Sequence, residues 1–194
     1  MKQAFKLGLI LAVYASVACL ALAVVNNFTA PVIEQHAKEK ESAGLRIIFP
    51  DADDFVAVTD FDRPAGTTQI ESFYKAVAGG KTVGYAIKAA GPTYDTSTLL
   101  AGFTADMKIS GVHILATTDS PGFGQKAADP SYRTSKGTTF CGQFAGVNAS
   151  KPLAIGDDFE TISGATITSR SVGAIVSTAA ETVSNYLKKT GGAQ

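Results

Sequence analysis

The sequence predicts an α+β fold: a single N-terminal transmembrane helix, then an extracytoplasmic domain with a mostly antiparallel sheet and a packed C-terminal helix. Three observations carry this expectation. Residues Leu7 to Val25 hold no charge, residues 55–118 show a hydrophobic period near two, and residues 172–187 place their apolar side chains on one helical face. At roughly 150 residues per domain, 194 residues suit one domain and an appendage. The expected division is 1–28 for the cytoplasmic N-terminus and anchor, 29–50 for a juxtamembrane helix and 51–194 for the external domain.

The uncharged run is long enough to span about 28 Å as a helix, close to the hydrocarbon thickness of a bilayer. A cleaved signal peptide is one alternative, since Lys2 and Lys6 precede the run and Ala21-Leu22-Ala23 resembles a cleavage site. A lipoprotein signal ending at Cys19 is another, but Ser16-Val17-Ala18-Cys19 is a poor context and the apolar run continues past the cysteine. The reading carried forward is an uncleaved, single-pass anchor in the inner (plasma) membrane, with membrane lipid around it. Lys2 and Lys6 flank its start, whereas the first basic residue after it is Lys38, offset by Glu34 and Glu39. The positive-inside rule then expects a cytoplasmic N-terminus and an extracytoplasmic C-terminal domain.

Beyond the anchor, Thr29-Ala30-Pro31 reads as a new helix start, with threonine as cap and proline in the first turn. That helix should run to Ile47-Ile48-Phe49-Pro50. Phe55 to Val58 is a short strand, and Ile70–Ala78 and Lys81–Ala89 flank Gly79-Gly80, a pair favoured in tight hairpins. Leu99–Met107 and Lys108–Thr117 form a second strand pair, in which Ile109, Val112, Ile114 and Ala116 share one face. His113 then points to the opposite face, as a surface histidine. Residues 117–146 read as loop. Val172, Ile175, Val176, Ala179, Val183, Tyr186 and Leu187 define the core face of the last helix, which Gly191-Gly192 should stop.

Composition narrows the function. Lys+Arg and Asp+Glu both total 17, so the chain lacks the basic surplus of a general nucleic-acid binder. Cys19 and Cys141 are the two cysteines, and His36 and His113 the two histidines. These are too few and too scattered for an iron–sulfur cluster or a cysteine-rich zinc site, so no metal ligands are expected. Cys141 reads as a small buried hydrophobe. Any redox chemistry would need a bound organic cofactor.

One segment concentrates chemistry. Ser163, Gly164, Ala165, Thr166, Ile167, Thr168, Ser169 and Arg170 lie where the last helix begins, and its free N–H groups must find acceptors. Ser163, Thr166 or Thr168 could simply cap the helix. Alternatively, the free amides and the positive end of the helix dipole suit a phosphate, with Arg170 assisting. A second feature is Asp119-Ser120-Pro121-Gly122-Phe123-Gly124, where Pro-Gly favours a type II turn and the glycines allow close backbone approach.

Ser163-Gly164-Ala165-Thr166-Ile167-Thr168 resembles the flavinylation motif of FMN-binding domains, whose final threonine carries FMN through a phosphoester bond. Five fixed positions recur by chance about once in a few thousand chains of this length. The anchor, the stretch Gly102 to Gly124 and the motif ahead of a C-terminal helix are together similar to the G subunit of Rnf-type ferredoxin:NAD oxidoreductase ion pumps. The family loop usually reads Glu-Thr-Pro-Gly-Leu-Gly, and its acidic position upstream of the motif corresponds to Glu160 here. The resemblance implies covalent FMN on Thr168. It also implies flavin contacts from Ser163, Gly164, Ala165, Thr166 and Ser169 and from Pro121, Gly122, Phe123 and Gly124, with no catalytic residue of the chain's own. The implied function is electron transfer within a membrane complex that couples ferredoxin and NAD redox chemistry to Na+ or H+ transport. The implied partners are the other subunits of that complex and a flavin transferase that takes FMN from FAD. The C subunit of the sodium-pumping NADH:quinone reductase shares the anchor and motif but is usually longer. A membrane-tethered FMN-binding sensor is the reading from another class.

Overall fold

The computed structural model describes residues 2–191 of the chain. It divides into two compact units, Met1–Lys40 and Glu41–Gln194. A single helix, α1 (Lys2–Ile48), occupies the described part of the first unit and contributes its last turns to the second. Every side chain from Leu7 to Val25 is exposed, and the helix is long and apolar enough to cross a membrane. Thr29-Ala30-Pro31 does not start a second helix, contrary to expectation: Pro31 lies inside α1 and Thr29 Oγ1 donates to the Val25 carbonyl at 2.9 Å. Proline's fixed φ is itself helical, so its local effect is a missing hydrogen bond rather than an end to the helix. The expected boundary near residue 50 falls inside the second unit, because Leu45, Ile48 and Phe49 are buried against the sheet.

That sheet is an antiparallel meander of five strands in the order β1-β2-β3-β4-β5. They are β1 (Asp54–Ala57), β2 (Gln69–Ala78), β3 (Lys81–Pro92), β4 (Thr96–Phe103) and β5 (Ile109–Thr117). Gly79 and Gly80 join β2 to β3 with φ of +56° and +77°, the left-handed values that a type I′ turn requires at both positions. Strands β4 and β5 were expected to meet at Met107-Lys108. A loop separates them instead, in which the Thr104 amide donates to the Lys108 carbonyl at 2.9 Å and Met107 adopts φ +61°.

Alternation divides the side chains of β3 and β4 between two faces. On one, Tyr85, Ile87, Ala89, Leu99, Ala101 and Phe103 join the main core beneath α2 (Thr166–Thr190). On the other, Ala86 and Leu100 meet Leu45 and Ile48 from the end of α1 and Phe49 just after it. Gly84 and Gly102 let that segment lie close, since a Cβ at either would strike Phe49 and, at Gly102, Ile48 as well. Lys88 is on this second face and pairs with Glu41 at 2.9 Å and Glu71 at 3.1 Å, while Tyr74 donates to Glu41 at 2.7 Å. His113 also points to this face, as expected. It is half-buried beside Gly44 rather than solvated, and burial pushes its pKa below the ordinary histidine value.

Helix α2 buries the whole expected face except Leu187, which is half-buried. Gly191 ends the helix at φ +78° and its amide donates to the Leu187 carbonyl; Gly192, also expected in the stop, lies outside the described residues. Ile175 is 1% exposed, and its side chain fills the space where Gly91 lacks a Cβ. Ile175→Ala should therefore destabilise the domain by about 2–5 kcal/mol. Denaturant unfolding of the full-length chain in detergent measures this, and an unchanged midpoint would place the face outside the core.

Candidate functional site

Three segments converge at one end of the sheet: the β3–β4 turn, the loop after β5 and the start of α2. Asp119, at the head of the loop, joins them. It has no solvent exposure. Its Oδ1 accepts from Thr93 Oγ1 at 2.6 Å and from the Asp95 amide at 2.8 Å, and its Oδ2 accepts from Thr168 Oγ1 at 2.5 Å. Burial alone raises the pKa of this carboxyl. The bonds donated by Thr168, Thr93 and the amides of Asp95 and Tyr94 outweigh that effect and hold it below the ordinary value.

The rest of the loop follows from its turn residues. The Phe123 amide donates to the Ser120 carbonyl at 3.3 Å, and Gly122 takes φ +76°, as the third position of a type II turn requires. The chain then enters a 3-10 turn at Gly124, where a Cβ would lie 2.6 Å from Asp119 Oδ2 and 2.7 Å from Thr168 Oγ1. Only glycine leaves room for the carboxylate and the hydroxyl to meet. Phe123 is 56% exposed, and its ring lies over Gly164, whose φ of +79° also favours glycine.

Helix α2 starts without a side-chain cap. Its N-cap is Ala165, so none of Ser163, Thr166 and Thr168 performs the capping expected of an ordinary helix start. Ser169 braces the turn internally: its Oγ donates to the Ala165 carbonyl and accepts from the Ile162 amide, both at 2.9 Å. The Ala165 amide donates to the Ile162 carbonyl, whereas the amides of Thr166, Ile167 and Thr168 have no acceptor among the described residues. These donors and the dipole's positive end suit an anionic group.

A cavity of about 420 Å³ opens here, lined by Tyr94, Ser120, Phe123, Gly124 and residues 164–168. This lies within the roughly 300–1,000 Å³ of small-molecule sites. Exposed Tyr94, Phe123 and Ile167 offer apolar surface for a flat ring, the free amides suit a phosphate, and Thr168 supplies a hydroxyl. The lining thus fits a flavin mononucleotide.

Of the sequence-predicted contacts, Gly164, Ala165, Thr166, Thr168, Phe123 and Gly124 line the cavity. Pro121, Gly122 and Ser163 are exposed residues of the flanking turns, and Ser169 is fully buried behind the helix start. Arg170 does not approach: it lines a separate groove with Lys151, Ala174 and Glu181. Glu160 accepts from Ser135 Oγ at 2.6 Å, outside the cavity lining. The Cys141 thiol donates to the Ala127 carbonyl at 3.3 Å, and burial pushes its pKa up to about 12, so it remains an inert thiol. Sequence reasoning missed Thr93 and Tyr94 and assigned Asp119 no role. An acidic residue heading a Pro-Gly loop was visible, but its burial was not.

Residues 94–181, a span containing every residue of the cavity lining, match the FMN-binding domain family, and residues 1–48 match the RnfG N-terminal region. With the apolar helix, this defines a membrane-anchored protein with an FMN-binding domain. The chain is 31% identical, over 96% of its length and 95% of the relative, to the G subunit of the Na(+)-translocating ferredoxin:NAD(+) oxidoreductase complex of Acetobacterium woodii. It is 28% identical to the proton-translocating counterpart of Clostridium ljungdahlii, over 89% of this chain and 86% of that one. It is 27% identical to the G subunit of the ion-translocating oxidoreductase complex of Methanosarcina acetivorans, over 88% and 89% respectively. The chain belongs to the family of G subunits of ion-translocating ferredoxin:NAD(+) oxidoreductase complexes.

The depressed pKa of Asp119 has a signed consequence. Its contribution to stability is fully present above the unfolded carboxyl value of about 3.9 and is lost as pH falls through the lower folded value. The difference in melting temperature between the wild-type chain and Asp119→Asn should be large at neutral pH and shrink towards pH 3. Melting curves across that range check this, and a difference that grows on acidification would contradict it.

Proposed function

We propose that this chain is the FMN-carrying electron-transfer subunit of a membrane complex that couples redox exchange between ferredoxin and NAD to Na+ or H+ transport. The observation that carries the reading is the placement of Thr168, which lines a cavity beside the uncapped start of α2 and donates its hydroxyl to the buried Asp119 carboxylate. The Acetobacterium and Clostridium relatives, subunits of ion-translocating ferredoxin:NAD(+) oxidoreductase complexes, support the coupled reaction and the partnership with other subunits. Their near-complete overlap with this chain favours the ferredoxin:NAD complex over the sodium-pumping NADH:quinone reductase.

In this reading FMN is joined through its phosphate to Thr168 Oγ by a flavin transferase that draws FMN from FAD. The link prevents loss of the cofactor outside the cell, where free FMN is scarce. The amides of Thr166, Ile167 and Thr168 hold the remaining phosphodiester charge, and Phe123 and Tyr94 flank the ring. Bound FMN supplies reversible acceptance and release of electrons, while the protein sets its orientation and potential. Thr166, also on the cavity wall, is the rival attachment point, but it is exposed where Thr168 is 2% exposed.

Peptide mass spectrometry of the chain produced with its transferase should find the FMN adduct between Ile162 and Arg170. Thr168→Val should abolish it and Thr166→Val should at most reduce loading. An adduct retained in Thr168→Val would move the attachment, and an unmodified wild-type chain would reject the covalent reading. Co-purification with membrane partners separates an electron-transfer subunit from an isolated sensor.

Topology follows from Lys2 and Lys6 ahead of the apolar run: the N-terminus is cytoplasmic and the FMN-binding domain extracytoplasmic, anchored in the plasma membrane. Protease added to intact cells, with any outer membrane permeabilised, should digest the domain beyond Asn26. Protection of the domain would reverse the orientation.

A further inference from the structure

We propose that Asp119 is the proton acceptor for attachment of FMN to Thr168, a catalytic group carried by the modified chain itself. This rests on the covalent reading of Thr168. A threonine hydroxyl is not acidic at neutral pH, and its proton becomes transferable only as the oxygen bonds to phosphorus. The acceptor must therefore already touch the hydroxyl at that moment. Asp119 Oδ2 does, at 2.5 Å, and it receives the hydrogen of Thr168 Oγ1. With exposures of 0% and 2%, Asp119 and Thr168 leave little access for bulk water as a competing acceptor.

The carboxylate is aimed as well as near. Thr93 Oγ1 and the Asp95 amide both bind Oδ1, which leaves Oδ2 for Thr168, and Gly124 provides the gap through which the two groups meet. Because its hydrogen points to Asp119, Oγ1 keeps its lone pairs for attack. The other titratable or charged groups near this site are Tyr94 and Asp95 on the β3–β4 turn and Lys126 beside Phe123. The first turn of α2 carries none before Arg170, which lines a separate groove.

The step balances. Thr168 Oγ bonds to the FMN phosphorus of FAD while the bond from that phosphorus to the AMP phosphate oxygen breaks. The electron pair of the broken bond leaves with AMP, the hydroxyl proton passes to Asp119 Oδ2 and then to solvent, and nothing is oxidised or reduced. The loop aspartate of protein kinases handles a substrate hydroxyl in the same way. Once esterified, Oγ has no hydrogen to donate, and Asp119 faces a phosphodiester anion. Both changes raise its pKa.

The test uses the full-length chain in detergent with a flavin transferase and FAD, following AMP release and flavin fluorescence of the denatured polypeptide. Asp119→Asn should load at least about 100-fold more slowly than wild type. Its residual rate, relative to wild type with the same transferase, should climb about tenfold per pH unit as hydroxide replaces the lost base. A purely structural role would slow loading without that pH dependence. An Asn variant that is still folded at the assay temperature and loads at the wild-type rate and pH profile would overturn the proposal. Carboxyl-carbon NMR of wild-type Asp119 before and after loading gives a second reading that does not require the variant to fold. Its pKa should rise on loading, and an unchanged value would also overturn the proposal. A wild-type chain that takes no flavin would instead remove the covalent reading beneath it.

Discussion

A carboxylate without solvent contact is costly to bury, by several kcal/mol unless donors surround it. Asp119 meets that condition only because two other segments deliver three donors to its loop: the Thr93 hydroxyl and Asp95 amide from the β3–β4 turn, and the Thr168 hydroxyl from α2. Each bond fixes one segment relative to the others. The first turn of α2 is therefore placed by hydrogen bonding as well as by its apolar face. The adjoining loop inherits the constraint. Gly124 must be a glycine for the bond to exist, and Phe123 is thereby set beside the helix start, over Gly164. The cavity is the space left by these requirements.

The opposite face of the sheet is held by a different kind of contact. There the final turn of α1 lies on Gly84 and Gly102, whose missing side chains admit Phe49 and Ile48. Glu41, Lys88, Glu71 and Tyr74 form a polar margin to this small cluster. With α2 on one face and the end of α1 on the other, both faces of the central strands are covered. This agrees with buried residues at every position from Gly84 to Ile87 and from Leu99 to Phe103.

Much of this was legible in the residues. The Gly79-Gly80 hairpin is encoded locally, because two left-handed positions select both the turn and the pairing of its strands. The core face of α2 is equally plain, since seven apolar positions share one helical stripe. The rest depended on non-local context. Pro31 looked like a helix start because proline suits a first turn as well as it suits this interior position. Thr168 looked like a cap candidate, and its actual partner is an aspartate on another segment. Burial of Asp119, and hence the parts played by Thr93 and Gly124, exists only once the β3–β4 turn, the loop and the helix have met. Local pattern carries no trace of such a meeting.

The meander has a consequence for the order in which the molecule is made. Each strand pairs only with a chain neighbour, so the sheet can assemble while the C-terminal residues are still being synthesised. Helix α2 arrives last, and its Thr168 must find a partner 49 residues upstream. Until then, the face bearing Phe73, Tyr85, Leu99 and Phe103 lacks its covering helix, and Asp119 lacks one of its donors. Docking of the final helix removes both defects in one event. A nascent chain halted before Thr166 keeps both.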